Sequence, residues 1–141
     1  VAMNLLWMGC VVPWVFNRLV FKDHVEGGMI VVATLKGRVV IIDDVISAGT
    51  SVRESVKIIE ANNASPSGVL IAVDRMERGG TADAPTATSA VQDVEKTFGL
   101  SVVSIINLHD LLAFMDGPSE KAKTVAQYRD AVAAYRARYG A

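Results

Sequence analysis

Apolar residues occur along the chain in blocks whose spacing predicts strands that alternate with helices. A continuous β-branched run at residues 38–42 predicts a central strand that is covered on both faces. From residue 50 to residue 62, the apolar positions Val52, Val56 and Ile59 recur every three or four residues, which predicts a helix with one buried face. The pattern therefore predicts a buried strand that is joined to a helix by a short loop.

The same alternation continues toward the end of the chain. Further strands are predicted at residues 69–73 and 100–106, and further helices at residues 89–98 and 108–115. A last helix is expected to begin at a Ser119 cap and to end at Gly140. Its apolar stripe, which we interpret as a packing surface, consists of Val125, Tyr128, Val132, Tyr135 and Tyr139. Strands that alternate with helices predict an α/β fold, with a mostly parallel sheet and helices on both faces.

Other segments have weaker patterns. Residues 1–8 suit the end of a helix, and residues 11–16 suit a strand with Pro13 near its start. A break is expected at residues 62–68, where asparagine, serine, proline and glycine are concentrated. Residues 77–88 contain two glycines, a proline and many small polar residues, so they are predicted to form an irregular excursion.

Composition restricts the class of protein. A chain of 141 residues suits one domain. Its net charge of −1 gives no general electrostatic reason to expect nucleic acid or an anionic membrane as a partner. The uncharged run at residues 1–17 is too short to span a bilayer. Cys10 is the only cysteine, which excludes an intrachain disulfide and fits a reducing compartment. Because Val1 begins directly inside apolar sequence, we expect a further segment upstream.

Two adjacent carboxylates follow the predicted buried strand. Asp43 and Asp44 lie where that strand ends, the edge at which open α/β sheets bind ligands. The next residues are small or hydroxylated and lead into a helix, so that backbone N–H groups can converge on an anion. Carboxylates accept hydrogen bonds from sugar hydroxyls, and the combination suits a ribose 5-phosphate. The structural alternative is an Asp pair that only caps a strand-to-helix turn.

The segment Val-Val-Ile-Ile-Asp-Asp-Val-Ile-Ser-Ala-Gly-Thr-Ser at residues 39–51 resembles the 5-phosphoribosyl-1-diphosphate motif of type I phosphoribosyltransferases. The resemblance implies that Asp43 and Asp44 contact the ribose hydroxyls. It also implies that a loop wraps the 5-phosphate, and this loop consists of Val45, Ile46, Ser47, Ala48, Gly49, Thr50 and Ser51. The whole chain, residues 1–141, would be the C-terminal part of one phosphoribosyltransferase domain.

Two further segments resemble the orotate phosphoribosyltransferase branch of that family. Phe-Asn-Arg at residues 16–18 and Lys-Asp-His-Val-Glu-Gly-Gly at residues 22–28 resemble its mobile catalytic loop. The resemblance implies that Arg18 belongs to the substrate site and that Lys22 and His24 neutralise the departing diphosphate. Asp-Arg-Met-Glu-Arg-Gly at residues 74–79 resembles a stretch in which the first arginine contacts orotate, here Arg75.

The resemblance implies a glycosyltransferase, more narrowly a pentosyltransferase. Its reaction transfers the phosphoribosyl group of 5-phosphoribosyl-1-diphosphate to orotate, giving orotidine 5′-phosphate and diphosphate in pyrimidine (UMP) biosynthesis. The catalytic residues would be Lys22, His24, Asp43 and Asp44. Mg²⁺ is the expected cofactor, carried mainly by the diphosphate and without a protein metal site. A cytoplasmic homodimer is implied, in which the mobile loop serves the neighbouring subunit's site, with no nucleic-acid or membrane partner.

Two other functions stay open at this stage. One is a type I phosphoribosyltransferase that acts on a purine. The other is a non-catalytic regulator that senses 5-phosphoribosyl-1-diphosphate. The second alternative depends on the Leu-Val-Phe triplet at residues 19–21, which stands where the family loop has Lys-Glu-Ala. A lysine that helps to hold the diphosphate in that family is therefore replaced by an apolar residue.

Overall fold

The computed structural model describes residues 5, 7–10, 12–17, 30–31, 34–81 and 84–141. The described strands are β1 (Phe16–Asn17), β2 (Ile30–Val31), β3 (Arg38–Asp43), β4 (Ser65–Asp74), β5 (Arg78–Thr81), β6 (Ala84–Ser89) and β7 (Val102–Asn107). The described helices are α1 (Thr50–Ala61), α2 (Ala90–Phe98), α3 (Leu108–Met115), α4 (Glu120–Val125) and α5 (Arg129–Tyr139). A 3-10 turn at Ala126–Tyr128 lies between α4 and α5.

A parallel sheet organises the described part of the chain. Its strand order is β3-β4-β7, and both pairings are parallel. Ile41 is opposite Val69, and Val69 is in turn opposite Val102. Parallel neighbours need a crossover connection, and helices α1 and α2 lie in the two crossovers. The predicted α/β class with a parallel sheet is thereby confirmed.

The core lies between this sheet and the two crossover helices. Val52, Val56 and Ile59 of α1 are buried, as the helical spacing predicted. They belong to one apolar cluster with Val69 of β4 and Val94 of α2. Val52 and Val69 are the most completely enclosed, with 0% and 1% of their surfaces exposed. Burial of this kind contributes about 1.5–3 kcal/mol per large apolar side chain, which makes the cluster the main stabilising feature.

The opposite face of the sheet differs. Its exposed apolar side chains among the described residues are Val40, Ile42, Leu70, Val103 and Ile105. The strand predicted at residues 38–42 is present, but the prediction that both its faces are covered is wrong for the described residues. Val40 and Ile42 are 48% and 52% exposed, because the packed side of β3 is the one that carries Ile41.

Three local predictions are corrected by the structure. The break expected through residue 68 ends earlier, because β4 begins at Ser65 and includes Pro66 at a register shift opposite β3. Ser67 supports this irregular start by donating its hydroxyl to the Val39 carbonyl at 3.2 Å. Residues 12–15 form no strand, and only Phe16–Asn17 pairs with β2. Within the irregular excursion expected at residues 77–88, the described residues instead form an antiparallel pair, β5 with β6.

The end of the chain is also less regular than predicted. The single helix expected from residue 119 onward is divided into α4, a 3-10 turn and α5. Its predicted stripe is only partly covered, since Tyr128 is 58% exposed and Tyr139 is 44% exposed. Val125, Val132 and Tyr135 are half-buried, and Ala122 of α4 is fully buried beside them in the sequence. In the described part of the chain, no helix is long and apolar enough to cross a bilayer.

Candidate active site

The polar residues of interest lie at one edge of the parallel sheet. Asp43 ends β3, Asp74 ends β4 and Asn107 ends β7. Asp74 is directly opposite Asn107 in the pairing of β4 with β7, and Asp43 is opposite Ile71. Because parallel strands place their carboxyl ends together, the loops that follow them share one edge, where ligands of open α/β sheets bind.

The acidic pair is held by its own backbone and by β4. The Asp44 N–H donates to Oδ1 of Asp43 at 3.0 Å, and the Val45 N–H donates to Oδ1 of Asp44 at 2.7 Å. The Asp44 carbonyl accepts hydrogen bonds from the N–H groups of Ala72 (2.9 Å) and Val73 (3.1 Å). The backbone is therefore fixed while the Asp44 side chain stays exposed and the Asp43 side chain is half-buried.

Two buried residues fix the loop after the acidic pair. Ile46 is only 5% exposed and belongs to the core cluster. Gly49 is also buried and has a left-handed backbone, with φ 69° and ψ 12°. A Cβ atom there would lie 3.0 Å from Cγ2 of Val94, so both the conformation and the close approach favour glycine. Of the other loop residues, Val45 is half-buried, whereas Ser47, Ala48, Thr50 and Ser51 are exposed.

Helix α1 begins without a side-chain hydrogen-bond acceptor at its N-cap, whereas α2 and α3 each have one. Its N-cap is Gly49, which makes no side-chain hydrogen bond, and its first turn contains no acidic residue. By contrast, Ser89 caps α2 and Asn107 caps α3, and these helices carry Asp93 and Asp110 in their first turns. The first N–H groups of α1, together with its dipole, are thus left for an external anion.

The hydroxyls of the loop connect it to the acidic residue and to a cation. Ser51 donates its Oγ–H to Oδ2 of Asp43 at 2.7 Å. On the other side, Nη2 of Arg75 donates to Oγ of Ser47 at 2.5 Å. Residues 43–51 and Arg75 are therefore one connected group, although Ser47 and Arg75 are 28 positions apart in the sequence.

Arg75 also forms an ion pair. Its Nη2 lies 3.0 Å from Oε2 of Glu77, and the two side chains are 33% and 17% exposed. This ion pair coexists with the hydrogen bond from Arg75 to Ser47. The Nε of Arg75 is buried and has no hydrogen-bond partner among the described residues. An N–H donor in that position is costly until an acceptor reaches it.

A hairpin and helix α2 lie against the back of the loop. A small open cleft there is lined by residues that include Gly49, Arg53, Gly79, Asp93 and Phe98. Hydrogen bonds from the hydroxyls of Thr88 and then Thr86 hold the pKa of Asp93 below its ordinary value. Asp93 is therefore occupied in holding β6 to α2, which makes it part of the support behind the loop.

The predicted site residues have unequal outcomes. The structure brings Asp43, Asp44, the loop at residues 45–51 and Arg75 to one edge of the sheet. The predicted residues Arg18, Lys22 and His24 lie outside the described residues. Within the described ranges, no cluster of three or more His, Cys, Asp or Glu residues converges. The two adjacent carboxylates supply oxygen donors of the kind that Mg²⁺ prefers, but the described residues form no cage around them.

Sequence reasoning missed one feature of this region. Residues Gly140 and Ala141 contact the backbone next to Arg75, with the Ala141 N–H donating to the Met76 carbonyl at 3.0 Å. Gly140 also forms an isolated antiparallel bridge with Glu77. No periodicity or motif indicates this contact, because it joins residues more than 60 positions apart, as in the hydrogen bond from Arg78 to Gly140.

Comparison with known proteins identifies close relatives. No family model matches the chain. It is 58% identical over 139 residues to the orotate phosphoribosyltransferase of Herminiimonas arsenicoxydans, covering 99% of this chain and 62% of that protein. It is 59% identical over 129 residues to the orotate phosphoribosyltransferase of Bordetella petrii, covering 92% of this chain and 56% of the relative. The chain thus spans about three fifths of the length of the curated relatives it matches.

Solved structures of orotate phosphoribosyltransferases also superpose on this chain. The crystal structure of orotate phosphoribosyltransferase from Francisella tularensis superposes with a TM-score of 0.71 at 25% identity, covering 99% of this chain and 62% of that one. The orotate phosphoribosyltransferase of Aeropyrum pernix superposes with a TM-score of 0.56 at 26% identity, over 79% of this chain and 55% of that one. Over nearly its whole length the chain is therefore similar in sequence to orotate phosphoribosyltransferases, and its fold resembles that of their solved structures.

Proposed function

We propose that the protein transfers the phosphoribosyl group of 5-phosphoribosyl-1-diphosphate to orotate, giving orotidine 5′-phosphate and diphosphate in pyrimidine biosynthesis. The observation that carries this proposal is the contact between Arg75 and the loop before α1, with Nη2 of Arg75 2.5 Å from Oγ of Ser47. It puts a cation that suits a carboxylate-bearing base beside an uncapped helix that suits a phosphate. Residues 1–141 would form part of one phosphoribosyltransferase domain.

The ribose is assigned to the acidic pair. Asp44 is exposed and its backbone is fixed to β4, so its carboxylate can accept hydrogen bonds from a sugar hydroxyl without rearrangement. Asp43 is half-buried and already accepts the hydroxyl of Ser51. We therefore expect Asp44 to bind the ribose more directly, with Asp43 holding the loop in register and contacting the second hydroxyl.

The 5-phosphate is assigned to residues 45–51 and the first turn of α1. The uncapped N–H groups of this helix and the exposed hydroxyls of Ser47, Thr50 and Ser51 supply donors. Gly49 allows the backbone itself to approach the anion. Ile46 anchors the loop in the core, so the donors are in place before the phosphate arrives. Such preorganisation lowers the entropic cost of binding.

Orotate is assigned to Arg75. A guanidinium has a planar fork of donors, which matches a carboxylate in two parallel hydrogen bonds. Arg75 is partly exposed, at 33%, and its Nε lacks a partner in the described ranges. Binding of a carboxylate would give that donor an acceptor, while Glu77 keeps the cation near the sheet edge. A purine base has no carboxylate that could accept these hydrogen bonds from Arg75, so the proposed site favours the pyrimidine acid.

The diphosphate end of the substrate is assigned by family resemblance. Lys22 and His24 would neutralise the charge that develops on the diphosphate as it leaves, with Arg18 in the same substrate site. Mg²⁺, held mainly by the diphosphate, would supply further charge neutralisation when bound. The proposal includes a homodimer in which the loop that carries these residues serves the neighbouring subunit, and a cytoplasmic location.

The test is a turnover assay with the purified protein, 5-phosphoribosyl-1-diphosphate and Mg²⁺. Loss of orotate absorbance with formation of orotidine 5′-phosphate is the expected result, with no turnover of adenine, guanine or hypoxanthine. Turnover of a purine instead of orotate would contradict the proposed base. Tight binding of 5-phosphoribosyl-1-diphosphate without product from any base would contradict catalysis and favour a ligand-sensing regulator.

A further inference from the structure

The segment that carries Arg75 is tied to the residues that follow helix α5. The Ala141 N–H donates to the Met76 carbonyl at 3.0 Å, and Gly140 forms an antiparallel bridge with Glu77. The Arg78 side chain completes the contact by donating its Nε–H to the Gly140 carbonyl at 2.9 Å. Three consecutive residues after Arg75 are thus held by residues 140–141, which we call the tail clamp.

The segment needs such support because its own backbone is strained. Met76 has φ of 53°, a left-handed conformation that a residue with a side chain seldom adopts. Such a conformation costs on the order of 1 kcal/mol or more and persists only when its surroundings enforce it. The Met76 N–H is held by Oδ1 of Asp74 at 2.8 Å on one side. The tail clamp supplies the opposing contact at the Met76 carbonyl.

Gly140 places the tail in position. Its N–H still donates to the Arg136 carbonyl at 2.8 Å, while its extended backbone turns the chain away from α5 toward Glu77. A Cβ atom at this position would lie 2.6 Å from the Arg136 carbonyl oxygen. Any larger residue would therefore force the tail away from the helix end and from the segment that it holds.

We propose that the tail clamp is a positioning device for Arg75 and so sets the affinity for orotate. Glu77 is the link, because it bridges Gly140 through its backbone and pairs with Arg75 through its carboxylate at 3.0 Å. A shift of the Glu77 backbone moves that carboxylate and changes where the guanidinium lies. The acidic pair and the backbone N–H groups of the loop before α1 make no hydrogen bond to residues 140–141 among the contacts that hold the clamp. The inference rests on the proposed function and concerns the same site.

The test is Gly140→Ala in the whole protein, assayed for the KM of each substrate. The expected result is a rise in the KM for orotate on the order of tenfold, the effect of weakening one hydrogen bond to a charged group. The KM for 5-phosphoribosyl-1-diphosphate is expected to stay within about twofold, because its assigned donors do not touch the clamp. A merely structural role would change both KM values together or lower only the amount of active protein.

Gly117→Ala is the matched control. Its Cβ would also crowd a helix-end carbonyl, lying 3.0 Å from the carbonyl oxygen of Phe114, but on α3 rather than beside Glu77. A second variant, Arg78→Ala, removes one clamp contact without altering the backbone and is compared with Arg138→Ala. Arg138 lies over the Tyr139 ring at the end of α5 and carries the same charge.

The outcomes separate this inference from the proposed function. Orotate turnover by the unaltered protein, with a selective rise in the orotate KM for Gly140→Ala and Arg78→Ala, supports both. Turnover by the unaltered protein with no selective change in Arg78→Ala overturns the clamp alone, even if Gly140→Ala fails to fold. If the unaltered protein does not convert orotate, the proposed function is wrong, and the proposed role of the tail clamp in orotate affinity is wrong as well.

Discussion

Two strand-to-helix junctions lie at the same edge of the sheet and differ in how the N-terminus of the following helix is capped. After β7, helix α3 begins at once, and its cap is complete. The Asn107 side chain accepts the Asp110 N–H at 3.0 Å, and the Asp110 carboxylate accepts the Asn107 N–H at 2.9 Å. After β3, residues 44–49 intervene, and α1 begins at Thr50 with neither a side-chain cap nor an acidic first turn.

The difference indicates which junction is built for a ligand. A capped helix start satisfies its own N–H groups and adds about 1 kcal/mol to stability. An uncapped start gives up that stabilisation, but it leaves donors and the helix dipole available for an anion. The β3–α1 junction is nevertheless rigid, because Ile46 is buried and Gly49 packs on Val94. A rigid loop that leaves its donors unsatisfied is the expected design of a phosphate site.

The largest loss of affinity for 5-phosphoribosyl-1-diphosphate is expected when a negative charge is introduced at the uncapped β3–α1 junction. Gly49→Asp places a carboxylate where the 5-phosphate is proposed to bind, and we expect affinity for 5-phosphoribosyl-1-diphosphate to fall by about a hundredfold or more, as two hydrogen bonds to a charged group are lost. Isothermal titration calorimetry measures it. Gly37→Asp is the control, since Gly37 also has a positive φ, of 65°, but open space around it. Equal losses in the two variants would contradict a phosphate site at Gly49.

A smaller loss of affinity is expected from the acidic pair. Asp44→Asn removes the charge but keeps the shape, and should weaken binding of 5-phosphoribosyl-1-diphosphate about tenfold, the value of one charged hydrogen bond. Asp130→Asn is the control because its side chain is 99% exposed and its nearest cation contact is 3.8 Å away. If Asp44→Asn weakens binding no more than the control does, Asp43 and Asp44 only cap a turn and do not bind the ribose.

The capped junction should respond in the opposite way. Asn107→Ala removes the side-chain acceptor for α3 and is expected to lower the free energy of unfolding by about 1 kcal/mol. Affinity for 5-phosphoribosyl-1-diphosphate should not change, because this cap is satisfied within the chain. Urea denaturation and calorimetry on the same preparation check both statements. A fall in affinity without a fall in stability would mean that the two junctions do not differ in role.

The smallest effect concerns the acidic first turn of α2, a feature that α1 lacks. Hydroxyls of Thr88 and Thr86 lower the pKa of Asp93 in the folded protein below its ordinary value of 3.8. The stability that this contributes is present above pH 3.8 and is lost as the pH falls through the lowered folded pKa. Thr88→Val should therefore destabilise the fold at neutral pH by more than it does in acid. Thermal unfolding across this range tests it, and a destabilisation that does not depend on pH would contradict the assignment.

The local parts of the fold could be predicted because their cause is local. Helical spacing at Val52, Val56 and Ile59 identified α1, and residues 108–115 were predicted with the bounds of α3. Prediction failed at residues 77–88, where glycine and small polar residues suggested irregular chain but form the β5–β6 hairpin. Hydroxyls of Thr86 and Thr88 on Asp93 hold that hairpin to α2, and local propensity contains no information about such a contact.

The candidate site likewise has one part that local sequence predicts and another that only tertiary contacts create. The acidic pair, the small residues after it and Gly49 lie within nine consecutive positions, so the sequence alone determined that such a loop follows an apolar strand and predicted a ribose-phosphate motif there. Only the tertiary structure decided what surrounds it. Parallel pairing of β3 with β4 brings Arg75 to Ser47, and the turn after α5 brings Gly140 to Glu77 and Arg78. Contacts across 28 and 62 positions arise from chain packing, which no local pattern of residues records.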